Sequence, residues 1–167
     1  MPKVPNPWPI GSNAWTESSP SDGAPLCPEI FRKRAMVEGL YGIEPPDAAQ
    51  VTAFLLGLSQ RLGMRPLSDP LVFSPDRHSD LHHGVAGFLP WVESGCSLYT
   101  WAPQRLFTLE LYSCRDFDLQ SCADYARERL QARQLHSRVL YQGPAGVAPV
   151  APPDTKEPAP GGSPGAA

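Results

Sequence analysis

The chain has 167 residues, a formal net charge of -3 and only 19% charged side chains. This length suits a single domain with a real core, and the absence of a basic excess argues against nucleic acid as a partner. No stretch approaches the roughly 20 apolar residues of a membrane span, and no apolar run follows the N-terminus as in a secretory signal. We therefore expect a cytoplasmic protein without a membrane contact, whose four cysteines are free thiols.

Proline marks the two ends of the chain. Of the 21 prolines, seven fall within residues 1–28 and seven within residues 143–167. We predict an irregular Pro-rich N-terminal segment over residues 1–28 and a disordered tail rich in Pro, Gly and Ala over residues 143–167. The folded domain is then expected over residues 29–142.

The first half of this domain is predicted to form a strand, a helix and a second strand. Residues 34–41 are mostly apolar and predict the first strand. Asp47, with Gln50 three residues later, predicts a capped helix that Gly63 ends. Its buried face is predicted from apolar residues at helical spacing: Val51, Phe54, Leu55, Leu58 and Leu62. Residues 65–73 contain two prolines and predict an edge or irregular strand.

Three strand-like runs follow a polar loop, over residues 85–92, 96–101 and 106–114. The first two are separated by Glu93-Ser94-Gly95, which predicts a tight turn. The third run alternates apolar and polar residues, as expected of a strand with one buried face.

Asp118 is the expected cap of a second helix that runs to about Arg133, and residues 137–141 predict a last strand. Cys96 lies among the apolar residues of a predicted strand, and Cys122 lies on the apolar side of the second predicted helix. Both are expected in the core. The element order favours an α+β fold, a two-layer α/β sandwich with a mainly antiparallel sheet and both helices on one face.

Residues 84–115 resemble the small prokaryotic S-adenosylmethionine decarboxylases. The family's runs Gly-Val-Ser-Gly, Glu-Ser-His, His-Thr-Trp-Pro-Glu and Asp-Val-Phe-Thr-Cys-Gly are matched in register without gaps. The corresponding runs are Gly84-Val85-Ala86-Gly87, Glu93-Ser94-Gly95, Tyr99-Thr100-Trp101-Ala102-Pro103 and Glu110-Leu111-Tyr112-Ser113-Cys114-Arg115. Leu40-Tyr41-Gly42 also fits the end of the family's first strand.

The resemblance implies a pyruvoyl-dependent decarboxylase of polyamine biosynthesis that cleaves itself between Glu93 and Ser94. In the family, the serine becomes a covalent pyruvoyl group, which forms a Schiff base with the amine of the substrate and accepts electrons as CO₂ leaves. Cys114 matches the acid that returns a proton to the α-carbon. The resemblance further implies a small amino-acid-type substrate, a homodimer and no metal.

Four positions depart from the family's pattern. Ala86 and Tyr99 replace a serine and a histidine that assist processing, and a tyrosine with an ordinary pKa of about 10 is a poor base. Gly95 replaces the histidine after the reactive serine, and Pro103 replaces the glutamate that holds the ribose. The substrate is therefore expected to have shifted towards another amino acid, such as arginine or ornithine.

The loop histidines add one further hypothesis. If the loop folds over the turn, His82 or His83 supplies the base that Tyr99 cannot supply. The three loop histidines, His78, His82 and His83, are otherwise typical of a solvated loop rather than of a metal site. Two functions stay open at this point. The first is the pyruvoyl enzyme with Ser94, Cys114 and Tyr99 at its site, and the second is a non-processing, inactive homologue that acts as a binding or regulatory subunit.

Overall fold

The structure is a computed structural model that describes residues 27–76, 78–79 and 83–144. The predictions made for residues 1–26 and 145–167 therefore lie outside the described residues, as does the one made for His82.

The described chain forms one antiparallel sheet and two helices. The elements in chain order are β1 (Arg32–Leu40), α1 (Ala48–Leu62), β2 (Leu71–Phe73), β3 (Ala86–Trp91), β4 (Ser94–Trp101), β5 (Leu106–Ser113), α2 (Leu119–Leu130) and β6 (Gln134–Gly143). The six strands lie in the order β2-β3-β4-β5-β1-β6, and each neighbouring pair is antiparallel. Both helices pack on the same face of this sheet. The predicted two-layer α+β sandwich is thus confirmed.

The helices begin and end where their capping residues require. The Asp47 side chain accepts a hydrogen bond from the Gln50 amide while the Gln50 side chain accepts one from the Asp47 amide, and Gly63 ends α1 at φ 65°. Asp118 caps α2, which ends earlier than predicted because Gln131 adopts a left-handed conformation at φ 48°. In the part of the chain that the structure describes, no helix is long and apolar enough to cross a bilayer.

The two faces of the sheet differ in their surroundings. On β5 the predicted alternation is confirmed, since Phe107, Leu109, Leu111 and Ser113 are all buried under the helices. The opposite face, which we call the open face, has no layer over it among the described residues. Its side chains include several large, partly exposed rings: Phe73, Phe88, Tyr99, Tyr112 and Tyr141.

Three strand predictions need correction. The turn between β3 and β4 consists of Val92 and Glu93, so Ser94 is the first residue of β4 rather than a turn residue. β2 covers only the end of residues 65–73, because two prolines interrupt the earlier part. β6 is longer than predicted, since it pairs with all of β1 despite its polar sequence.

Candidate functional site

A row of four residues crosses the sheet at the end where β4 begins. Ser94 pairs with Trp91 on β3 and with Ser113 on β5, and Ser113 pairs with Lys33 on β1. Ser113 is fully buried, and Cys114 follows it as the first residue beyond the strand. The antiparallel register therefore brings the beginning of β4 and the end of β5 together, as the sequence had suggested for Ser94 and Cys114.

The peptide bond before Ser94 is held by a direct contact from the Cys114 backbone. The Cys114 N–H donates a hydrogen bond of 2.8 Å to the carbonyl oxygen of Glu93. A donor on a carbonyl oxygen withdraws electron density from the carbonyl carbon, and it stabilises the oxyanion that forms when a nucleophile adds there. The hydrogen bond from Cys114 therefore makes the Glu93 carbonyl carbon more electrophilic.

Ser94 has an unfavourable backbone conformation. Its φ is 131°, a value that residues other than glycine rarely adopt. Such a conformation costs on the order of 1–3 kcal/mol and persists only where the surroundings impose it. Ser94 adopts it where it pairs with Trp91 on β3 and with Ser113 on β5. The strain is located at the residue whose peptide bond the sequence predicts to be cleaved.

The Glu93 carboxylate is buried and bound on both oxygens. The Arg65 N–H donates to Oε2 at 3.0 Å and the Arg65 guanidinium Nε donates to Oε1 at 2.8 Å. Only 6% of the Glu93 side chain is exposed, so its charge would be costly without this partner. Burial alone would raise the pKa of the carboxyl, but the hydrogen bonds from Arg65 outweigh it and hold the pKa below its ordinary value.

The loop after β5 is fixed from three directions. The Arg115 N–H donates to the Ser113 hydroxyl, and its guanidinium donates to the Gly63 carbonyl at the end of α1. The buried Lys33 ammonium donates to the Asp116 carboxylate at 2.8 Å and to the Phe117 carbonyl at 2.7 Å. These contacts position Cys114, whose side chain is exposed. Its thiol therefore lies at the surface directly after the end of β5.

Gly95 explains one departure from the family's pattern. A Cβ atom at this position would lie 2.9 Å from the Leu89 carbonyl and 3.2 Å from the ring of Phe88. The ring thus lies over the place that a side chain at position 95 would need. A shallow hollow begins at Gly95 and continues along the open face, where Arg34, Ser97 and Glu110 provide its polar groups.

The structure does not bring Tyr99 close to Ser94 within one chain. The two residues are at opposite ends of β4, and five residues of extended strand span roughly 17 Å. Tyr99 pairs directly with Ala86, so the two positions of the missing processing residues are neighbours. Its ring contacts Phe73 and Trp101 at centroid distances of 6.2 and 6.3 Å.

The loop with the histidines is also remote from the turn. The His83 carbonyl accepts a hydrogen bond from the Ala102 N–H, beyond the end of β4 that is opposite to Ser94. The expectation that this loop folds over the turn is therefore wrong for His83 within one chain, because the hairpin of β3 and β4 separates them along its full length. Within the described residues (27–76, 78–79 and 83–144), no group of three or more His, Cys, Asp or Glu side chains could hold a metal ion.

Other aromatic and sulfur groups belong to the core. Trp91 is buried and its indole N–H donates to the Ser59 hydroxyl at 2.7 Å. Cys96 and Cys122 are buried as predicted, and burial raises the pKa of both thiols, that of Cys122 to about 12. These thiols are therefore protonated and unreactive at neutral pH.

Two residues of this region, Arg65 and Ser113, are not recognisable as site residues from the sequence. A signal for Arg65 exists, since a glutamate predicted beside a buried strand requires a cation. Arg65 and Arg115 are both candidates for this cation in the sequence. The structure shows that Arg65 pairs with Glu93, whereas Arg115 bonds to the Gly63 carbonyl. Ser113 was predicted to be buried, but its pairing with Ser94 depends on the register of the two strands.

The fold and the arrangement at Ser94 can be compared with known proteins. The crystal structure of the adenosylmethionine decarboxylase from Aquifex aeolicus matches with a TM-score of 0.52 and 20% sequence identity, over 66% of this chain and 88% of that chain. No curated protein matches the sequence. The model of the S-adenosylmethionine decarboxylase family matches residues 36–143. The chain belongs to this family, whose members depend on a pyruvoyl group.

The strain at Ser94 predicts an unusual order of stability among its variants. Ser94→Gly should be more stable than Ser94→Ala by about 1 kcal/mol, because glycine accepts the positive φ and alanine does not. Urea denaturation of both purified variants measures the difference. As a control, Ser97→Ala should be more stable than Ser97→Gly, since glycine weakens an ordinary strand position. Equal stability of the two Ser94 variants would contradict the strain.

The buried Glu93 carboxylate predicts a pH-dependent contribution to stability. Its pKa in the folded chain lies below the ordinary value of 4.5, so its stabilising contribution is present above pH 4.5 and is lost as the pH falls through the lowered pKa. At pH 7 the Ser94→Ala protein should therefore have a larger free energy of unfolding than the double variant Ser94→Ala/Glu93→Gln. The difference between the two should shrink at pH 3. Urea titrations at both pH values measure this, and a difference that does not change with pH contradicts it.

Proposed function

We propose that the protein is a pyruvoyl-dependent decarboxylase that cleaves itself between Glu93 and Ser94. The hydrogen bond from the Cys114 amide to the Glu93 carbonyl is the observation that carries this proposal, because it activates the bond that must be cut. The strained φ of Ser94 supports the same function, since strain at a bond that reacts is released by the reaction.

Cleavage requires no component besides the chain and water. The Ser94 hydroxyl oxygen adds to the Glu93 carbonyl carbon, and the C–N bond breaks to leave an ester and a free Ser94 amine. Removal of the Ser94 α-proton then expels the Glu93 carboxylate from Cβ. The resulting dehydroalanine tautomerises, and water replaces its nitrogen as ammonia. The products are a first fragment that ends at Glu93 and a second fragment that begins with a pyruvoyl group.

The residues around Ser94 suit that group. The ketone of a pyruvoyl group supplies the electron sink for loss of CO₂ from an α-amino acid. Cys114 lies next to the row that contains Ser94, and its side chain is exposed, so its thiol can deliver the proton to the α-carbon of the substrate. The loop contacts of Arg115 and Lys33 hold Cys114 in this place.

We propose a basic amino acid, such as arginine or ornithine, as the substrate class. Pro103 has no group that could hold a ribose, which removes the anchor expected for an adenosyl substrate. The hollow beside Gly95 contains the Glu110 carboxylate, which can bind an ammonium or guanidinium group. A role in polyamine biosynthesis follows from this class of reaction.

A homodimer is the assembly that we propose for this site. The open face carries a group of partly exposed aromatic rings, among them Phe88, Tyr99 and Tyr112, and an exposed apolar surface of this kind is typical of an interface. A second copy placed face to face by a two-fold axis would bring Tyr99 of one copy towards Ser94 of the other. In that arrangement Tyr99 could act on the partner copy, although it lies roughly 17 Å from Ser94 within its own chain.

The competing function is a non-processing homologue that serves as a binding or regulatory subunit. Ala86 and Tyr99 favour it, because neither side chain supplies the hydroxyl or the base that processing uses in the family. The contacts at Glu93 and Cys114 favour the enzyme. The mass of the chain distinguishes the two functions.

Purified protein is expected to consist of two fragments divided before Ser94. Intact-mass spectrometry under denaturing conditions should find a second fragment that lacks its N-terminal amine and carries a ketone, whereas Ser94→Ala should remain a single chain. Reduction with cyanoborohydride in the presence of arginine, ornithine or adenosylmethionine should add the true substrate to that fragment. The gain in mass is that of the substrate less one water and plus two hydrogens, and less CO₂ where turnover occurs. A wild-type chain that stays uncut for days contradicts the enzyme and favours the regulatory subunit.

The proposed dimer predicts that a charge on the open face separates the two copies. Tyr99→Asp should weaken self-association at least about tenfold, because an unpaired charge is costly to bury in an interface. Sedimentation velocity over a range of concentrations measures the change. The control is Glu128→Arg, which alters an exposed charge on α2 and should leave the association unchanged. A wild-type protein that sediments as a monomer at high concentration would exclude this assembly.

A further inference from the structure

Residues 65–67, which we call the Arg65 segment, run antiparallel to the chain just before the cleavage site. The Leu67 N–H donates to the Pro90 carbonyl at 3.0 Å, and the Val92 N–H donates to the Arg65 carbonyl at 2.9 Å. Pro66 forms a bridge with Trp91 between these two hydrogen bonds. The end of β3 and the turn after it are therefore paired on the side away from β4.

Arg65 extends this pairing to the side chain of Glu93. Its amide and its guanidinium donate to different oxygens of the same carboxylate. Glu93 is thus fixed at two places, by Arg65 at its side chain and by the Cys114 N–H at its carbonyl. A residue fixed at both ends cannot rotate its carbonyl group without breaking one of these contacts.

We infer that Arg65 is a positioning residue for self-cleavage, which acts by holding Glu93 so that its carbonyl carbon faces Ser94. This inference rests on the proposed function, and it assigns the residue that holds the reacting peptide bond on its N-terminal side. Arg65 itself does not react. Its contribution is to keep the strained geometry of Ser94 from relaxing, because a free Glu93 would let the turn adopt a conformation with an ordinary φ.

The Arg65 side chain can be removed without disturbing the packing of the core. It is 56% exposed, whereas the carboxylate that it binds is 6% exposed, so its removal opens no cavity in the core. The Arg65 N–H and carbonyl remain in any variant and keep the segment paired. Removing the guanidinium group therefore leaves the backbone pairing in place, and the melting of Ser94→Ala variants measures what the loss of the ion pair costs the fold.

The experiment measures the rate of cleavage in freshly synthesised chains. Wild type, Arg65→Ala and Arg65→Lys are made by cell-free synthesis, and conversion of the intact chain into two fragments is followed on denaturing gels. Arg65→Ala should slow cleavage about tenfold, the loss expected for one hydrogen bond to a charged group, and Arg65→Lys should restore part of the rate. The matched control is Arg61→Ala, an exposed arginine whose side chain bonds to Ser121; it should cleave like wild type.

A double-mutant cycle separates this role from a general effect on the structure. In a Glu93→Gln background, where the carboxylate is absent, Arg65→Ala should slow cleavage less than twofold, because its partner is already lost. Thermal melting of Ser94→Ala with and without Arg65→Ala establishes that the fold is kept. Should Arg65→Ala not fold, the comparison of wild type with Glu93→Gln replaces it, and an unchanged rate there overturns the inference.

The outcomes separate the inference from the proposed function. A wild-type chain that never cleaves defeats the proposed function and this inference with it. Cleavage of wild type and Arg65→Ala at the same rate overturns the inference alone and leaves the decarboxylase in place. An equal loss of rate in the wild-type and Glu93→Gln backgrounds also overturns it, since Arg65 would then act on something other than Glu93.

Discussion

The hydrogen bond from the Cys114 amide to the Glu93 carbonyl depends on the register of β4 against β5, and that register organises the rest of the molecule. A shift by one residue would turn Phe107, Leu109 and Leu111 from the helices to the open face. The burial of this strand therefore fixes the position of Ser94 beside Ser113. The hydrophobic core and the arrangement at Ser94 are consequences of the same pairing, so a change in this arrangement would reduce the stability of the fold.

The sequence predicted the parts of the fold whose causes are local. Asp47, Gly63 and Asp118 marked the helix boundaries through contacts within one turn, and the alternation along β5 identified its buried face. The sequence did not predict that Ser94 starts a strand, because a polar run does not reveal where a two-residue turn lies. It also did not predict the contact of Arg65 with Glu93, because tertiary packing rather than spacing along the chain brings the two residues together.

The Glu93–Ser94 peptide bond has close contacts around Glu93, whereas the two positions that assist processing in the family are remote from it. The carbonyl of Glu93 has a donor, its carboxylate has a cation, and Ser94 has a strained φ of 131°. The positions that provide a base and a second hydroxyl in the family, Tyr99 and Ala86, lie at the far end of the same hairpin. In this chain the contacts around the Glu93 carbonyl and the two positions that depart from the family's pattern thus occupy different ends of the sheet.

The strand order has a consequence for a chain cut before Ser94. The fragment that ends at Glu93 would keep β1, α1, β2 and β3, and the other would keep β4, β5, α2 and β6. Because β1 is inserted between β5 and β6, and β3 pairs with β4, each fragment would supply strands to the interior of the other's sheet. Neither fragment would possess a complete core of its own. The two fragments would therefore stay associated through their shared sheet, and their dissociation would require both to unfold.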